Sequence, residues 1–202
     1  MSTLNKLNHY ALRKIVKPMY LVAIGGSAGF LKPLLTFFDH TPNDMVSYVI
    51  LRHIGRNVRS ELEQILQAHC LLTVVDATPN MRIENNKVYV LPPGYYMTIK
   101  DGRLHLHDRM GPQNCAIDVF MESLAEEYKN DAIGIILSGT GANGTKGIQS
   151  IKQEGGKVFV QEPSSCEYDA MPQNAIRTGC VDAVLLPQKM PRIIAKHVLK
   201  VS

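Results

Sequence analysis

The chain has no uninterrupted apolar stretch long enough to span a bilayer. Met19 to Phe38 comes nearest, but Gly25, Gly26 and Gly29 fall in its middle and Lys32-Pro33 breaks it. That pattern argues against a transmembrane helix and against direct membrane insertion. Basic residues exceed acidic ones only slightly, for a formal net charge of +4, and they form no run, so nucleic acid is not an expected partner. Cys70, Cys115, Cys166 and Cys180 include no C-x-x-C pair and no metal-ligand spacing. They read as reduced, partly buried thiols of a cytoplasmic protein, and neither a metal nor a cofactor is expected. Repeats, low-complexity tracts and a clear linker are absent too.

What remains suits one sizeable α/β domain: 202 residues, of which 45% are hydrophobic. The first eighteen residues carry Lys6, Arg13, Lys14 and Lys17 and no acid, with Leu4, Leu7, Ala11, Leu12 and Ile15 at helical spacing. Residues 1–18 are therefore expected to form a helical extension ending at Pro18, with no A-x-A-like cleavage site after it. The domain then runs over 19–202.

Within that domain, short apolar runs alternate with amphipathic ones. Strands are predicted at Tyr20–Ile24, Met45–Leu51, Leu71–Val75, Lys87–Leu91, Ala132–Leu137, Lys157–Gln161 and Val181–Leu186. Helices are predicted at Leu31–Asp39, Glu61–His69, Ile117–Tyr128, Lys146–Glu154, Asn174–Thr178 and Arg192–Lys200. Leu62, Ile65 and Leu66 should share one buried face, as should Val119, Phe120, Leu124 and Ala125. Tyr95–Lys100 and Arg103–His107, joined by Asp101-Gly102, read as an antiparallel hairpin. The alternation implies a doubly wound, mainly parallel sheet with helices on both faces.

Residues 20–35, YLVAIGGSAGFLKPLL, organise the rest. Gly25-Gly26-Ser27-Ala28-Gly29 is G-x-S-x-G between a strand and a helix, an arrangement that lifts a serine hydroxyl onto an exposed turn. The same residues equally suit a turn that merely needs small side chains. Ser27, His53, Pro92-Pro93-Gly94, the Gly139–Gly144 loop and Glu162 all follow predicted strands. They are candidates for one crevice at the carboxyl edge of the sheet. A histidine at such a position also serves structural roles.

Two familiar patterns fit poorly. An α/β-hydrolase places several strands before its nucleophile, and here the serine follows the first strand; the late His197 reads as a surface residue. Gly139-Thr140-Gly141-Ala142-Asn143-Gly144 is G-x-G-x-x-G, with Glu162 at the distance of a ribose-binding acid, which suggests a dinucleotide site. Too little chain follows Glu162 to complete a standard nucleotide-binding sheet.

Taken together, AIGGSAG, VILRH, VYVLPPG, AIDVFMESLA, IILSGTGANGTKGIQSIKQEGG, VFVQEP, YDAMPQNAI and TGCVDAVLLP resemble, in order, the catalytic domain of CheB-type chemotaxis methylesterases. The resemblance runs from about Tyr20 to the C-terminus. It implies hydrolysis of γ-glutamyl methyl esters on the cytoplasmic helices of methylated chemoreceptors, and in related members deamidation of receptor glutamines. Carried over by position, Ser27 is the nucleophile and His53 the general base and acid. Ala28, Thr140 and Gly141 offer backbone amides to an oxyanion.

Several positions depart from that pattern. The family's acid belongs where this sequence has Asn143. Thr140 stands for a usual methionine, Gly29-Phe30 for a glycine pair, and Cys115-Ala116 for Pro-Ser. No receiver domain precedes the esterase region, so a receiver of its own is not the expected switch. Asparagine can accept the histidine N–H through its oxygen or hold the wrong tautomer through its amide, and in serine proteases this exchange lowers turnover by roughly 10⁴. Three outcomes are open: a weakened esterase, aided by Asp118 or Asp169; a non-catalytic module binding receptor tails or a receptor methyltransferase; or deamidation of Asn143-Gly144, which supplies the acid.

Overall fold

A computed structural model describes residues 20–43, 46–52, 61–109 and 114–201. The expected helical extension at 1–18, the start of the second predicted strand and His53 lie outside the described residues.

Ten strands and six α-helices follow one another as β1 (Leu21–Gly26), α1 (Leu31–Phe38), β2 (Ser47–Arg52), α2 (Leu62–Gln67), β3 (Thr73–Asp76), β4 (Met81–Arg82), β5 (Lys87–Val90), β6 (Tyr95–Lys100), β7 (Arg103–Asp108), α3 (Ala116–Tyr128), β8 (Ala132–Ile136), α4 (Thr145–Gln153), β9 (Lys157–Gln161), α5 (Ala170–Arg177), β10 (Ala183–Leu185) and α6 (Met190–Val201) among the described residues. Seven strands form one sheet in the order β10-β9-β8-β1-β2-β5-β3. Every neighbouring pair in it is parallel.

Strand β1 is buried along its whole length because both faces of the sheet are covered. Leu21 and Ala23 point into a core shared with Phe120, Met121 and Leu124 of α3 and Ile148 of α4. Val22 and Ile24 point to the opposite core, with Leu34 and Phe37 of α1, Leu62 of α2 and Ile194 of α6. Phe37, Phe38 and Tyr48 meet edge to face at centroid distances of 5.1, 5.8 and 5.4 Å, each pair adding about 0.5–1.5 kcal/mol beyond burial. That cluster fixes α1 on β2 and so anchors the turn between β1 and α1.

The hairpin β6–β7 belongs to a second, antiparallel sheet of order β4-β7-β6. Asp101 and Gly102 both take positive φ, 52° and 68°, as a two-residue hairpin turn demands. The Ile99 N–H donates to Ser123 Oγ at 3.1 Å, and Gly102 N–H to Glu127 Oε1 at 3.1 Å. These bonds seat the hairpin on α3.

Two helical faces differ from expectation. Ile65 is 37% exposed while Leu62 and Leu66 are buried. Val119 is only partly covered; the buried stripe of α3 runs through Ala116, Ile117, Phe120, Met121, Leu124, Ala125 and Tyr128. In both, the inward arc is narrower than the count of apolar residues suggests. Helix α5 starts at Ala170, one turn earlier than predicted. Pro172 falls in its first turn, where an intrahelical donor is not needed.

Candidate active site

Strand β1 is where the chain changes direction across the sheet. From β1 it goes to β2 on one side, and β8, β9 and β10 build out on the other. A crevice opens at such a switch, outside the carboxyl ends of the strands. Here it lies where β1 and β8 run into their loops.

The Ser27 turn is tied to the loop after β8 by backbone and side chain. Leu137 N–H donates to Gly25 O at 2.8 Å and Ser27 N–H to Ser138 O at 3.0 Å. Ser138 is fully buried; its hydroxyl donates towards Ala28 O (3.0 Å) and Tyr168 O (3.1 Å) and accepts from Tyr168 N–H (3.1 Å). Buried Gln161, at the end of β9, accepts from Ser138 N–H at 2.9 Å and donates to Ser165 O at 3.1 Å. Gly29 sits at φ +69°, and a Cβ there would lie 2.8 Å from Glu167 Cβ and 2.9 Å from Ser138 Oγ. Only glycine takes this backbone and this contact without strain.

The glycine-rich loop is pinned as firmly. Gly139 N–H donates to Tyr168 O and Met171 N–H to Gly139 O, each at 2.9 Å. Asn174 Nδ2 donates to Gly141 O at 2.7 Å. Between loop and turn lies a cleft of about 220 Å³, lined by Ser27, Asn114, Thr140, Gly141, Asn143 and Met171 among others. The Ser27 amide is committed to Ser138. The amides of Thr140 and Gly141 have no acceptor among the described residues. The Ala28 amide is likewise without an acceptor, but Ala28 does not line the cleft.

Asn143 shares this cleft with Ser27, and its side chain has a structural tie as well. Asn143 Oδ1 accepts the Asp118 N–H at 3.2 Å. Asp118 lies in the first turn of α3, where amides lack intrahelical partners. Asp118 Oδ1 in turn accepts Gly147 N–H of α4 at 3.0 Å. Asp169, just before α5, accepts from Gln173 Nε2 of that helix. Both carboxylates that were candidates for assisting a histidine thus have bonds that brace helices.

Gly26 and Arg52 pair at the last rung between β1 and β2, and His53 is the next residue in the chain after Arg52. Burial lowers the Arg52 guanidinium from its ordinary value while Asp76 opposes that shift. Burial raises the Asp76 carboxyl while Arg52 opposes that one.

Other candidates from the sequence fall elsewhere. Pro92, Pro93 and Gly94 do not line the cleft, and neither does Glu162. The Glu162 carboxylate accepts from Ser164 Oγ at 3.2 Å. Burial pushes the Cys166 thiol up to about 11, which makes it a poor nucleophile. A groove of about 630 Å³ between α1 and α6 is larger, but His40, Gln188, Lys189, Arg192, Ile193 and Lys196 line it and it holds no hydroxyl or thiol nucleophile. Among the described residues no cluster of three or more His, Cys, Asp or Glu is placed to hold a metal ion, and no helix is long and apolar enough to cross a membrane.

Asn114 and Met171 were not singled out from the sequence as cleft residues. Asn114 Oδ1 accepts the Ala116 N–H at 3.2 Å at the start of α3. A polar residue just before an amphipathic run was the available signal.

Comparison with known proteins agrees with this architecture. The "Putative protein-glutamate methylesterase/protein-glutamine glutaminase" of Leptospira interrogans (strain Fiocruz L1-130) is 31% identical over 179 residues, covering 87% of this chain and 93% of that protein. The protein-glutamate methylesterase/protein-glutamine glutaminase of Thermotoga maritima is 28% identical, covering 92% of this chain and 56% of that longer protein. The crystal structure of the Thermotoga maritima CheB methylesterase catalytic domain matches with a TM-score of 0.80 at 26% identity, over 88% of this chain and 97% of that one. The CheB methylesterase profile fits residues 22–194, and with the parallel sheet and its switch-point cleft in place, the chain belongs to the CheB methylesterase family.

Proposed function

We propose that the chain hydrolyses γ-glutamyl methyl esters on the cytoplasmic helices of chemoreceptors through Ser27 and His53, at a rate limited by Asn143. The observation that carries this reading is the cleft itself, in which Ser27, Thr140, Gly141 and Asn143 border one space. The pairing of Gly26 with Arg52 supports it, because neighbouring parallel strands lie about 4.8 Å apart and each is followed in the chain by one of the two reacting residues. The family to which the chain belongs supports the reaction class.

In the proposed mechanism His53 takes the Ser27 proton as Oγ attacks the ester carbonyl carbon. Negative charge on the carbonyl oxygen is met by the amides of Thr140 and Gly141. The carbon–oxygen bond to the methoxy group then breaks, and the imidazolium gives its proton to the departing methanol. Water, deprotonated by His53, cleaves the glutamyl–serine ester and regenerates the hydroxyl. An acid behind His53 stabilises the imidazolium in both steps; a neutral amide there forfeits about 5.5 kcal/mol of barrier lowering by analogy with serine proteases. Glutamine deamidation by the same route releases ammonia in place of methanol.

A second reading is a CheB-like module that binds receptor tails or a receptor methyltransferase without turnover. The commitment of Asn143 Oδ1 to the Asp118 amide favours it, since that oxygen is the atom a histidine N–H would need. Methanol release from methylated receptor separates the two. The esterase reading predicts slow release that Ser27→Ala abolishes, and the module reading predicts none from either protein.

A further inference from the structure

We propose that Asn143 is a self-deamidating residue whose product, an aspartate, completes the site; this rests on the Ser27–His53 reading above. Asn143-Gly144 is the one Asn-Gly pair in the sequence, and it falls at the family's acid position. Three features of the fold promote the reaction there. Gly144 has no side chain to obstruct a ring closing on its nitrogen, and its N–H has no acceptor among the described residues. Asn143 is half-buried but borders an open cleft that admits water. The Asp118 N–H, held at 3.2 Å on Asn143 Oδ1, is a fixed donor on the oxygen that gains negative charge when Cγ is attacked.

The chemistry needs only water. Gly144 N forms a bond to Asn143 Cγ, the Cγ–Nδ2 bond breaks, and the amide leaves as ammonia with the proton from the Gly144 nitrogen. Water then adds to the resulting cyclic imide. Addition at Cγ restores the normal main chain and leaves an aspartate; addition at the main-chain carbonyl leaves an isoaspartate. The Asp118 N–H polarises the Cγ carbonyl in this second step also, and so favours the aspartate. The new carboxylate then faces the positive end of α3, a 13-residue helix, which stabilises its ionised form.

The test follows freshly purified protein through incubation in mildly alkaline buffer, with peptide mass analysis at position 143 and methanol release measured in parallel. Aspartate should accumulate and activity should rise with it, by up to about 10⁴-fold at full conversion. Asn143→Gln should show neither change, because its longer side chain must close a larger ring. Asn143→Asp should be active from the start. An amide that persists at 143, conversion mainly to isoaspartate, or activity that does not follow the aspartate fraction overturns maturation. No gain from Asn143→Asp also overturns maturation, and if Ser27→Ala releases methanol no more slowly than wild type, the Ser27–His53 reading beneath it falls as well.

Discussion

Asn143 Oδ1 accepts the backbone N–H of Asp118 at 3.2 Å, so this cleft residue is tied to the first turn of α3. A carboxylate at that point keeps the Asp118 amide as a donor and meets the positive end of the helix dipole. Asn143→Asp should therefore fold at least as well as the parent, gaining about 0.3–1 kcal/mol in urea denaturation. Its methyl-ester turnover should rise, by up to about 10⁴-fold. A destabilised variant would show that the Asp118 amide needs the neutral side chain.

Ser138 is the buried hub under the Ser27 turn. Ser138→Ala leaves Ala28 O, Tyr168 O and Tyr168 N–H without their hydroxyl partner. The expected loss is about 1–3 kcal/mol in chemical denaturation, with turnover falling further because Ser27 hangs from the same loop. Unchanged stability would mean that this network does not hold the turn.

His197 provides a pH test of the fold away from the cleft. Its imidazole lies edge-on to Tyr20 at 5.5 Å. Burial and then Lys157 hold it below its ordinary value of 6.5, with Asp182 and Asp131 pulling the other way. The unfolded chain protonates this group more readily, so its contribution is present above 6.5 and lost as pH falls through 6.5 towards the folded value. His197→Phe keeps a ring against Tyr20 and removes the titration. Its melting temperature should decline less than that of wild type between neutral and mildly acidic buffer, and equal declines would refute the assignment.

Much of this architecture was legible from residue patterns. The apolar run before Gly25, the Asp101-Gly102 turn and the strand before Ser138 each carry a local physical signal, and the structure has strands and a hairpin there. Tertiary packing governed the rest. Ile65 and Val119 obey helical spacing, yet the arc that meets the sheet excludes them. Met81 and Arg82 form a strand only because β7 is beside them. In the cleft, Ser27, Thr140, Gly141 and Asn143 came from motif and family pattern. The Ser138–Gln161 network did not, since its bonds join residues 23 positions apart. The brace between Asn143 and Asp118 spans 25.

The most direct test of the account is a double-mutant cycle on methanol release with Ser27→Ala, His53→Gln and the pair together, made in the Asn143→Asp background so that the losses are measurable. If the hydroxyl and the imidazole act as one unit, each single change should remove nearly all turnover and the double variant should be no worse than either. Losses that multiply, or a His53→Gln protein that keeps its rate, would contradict it.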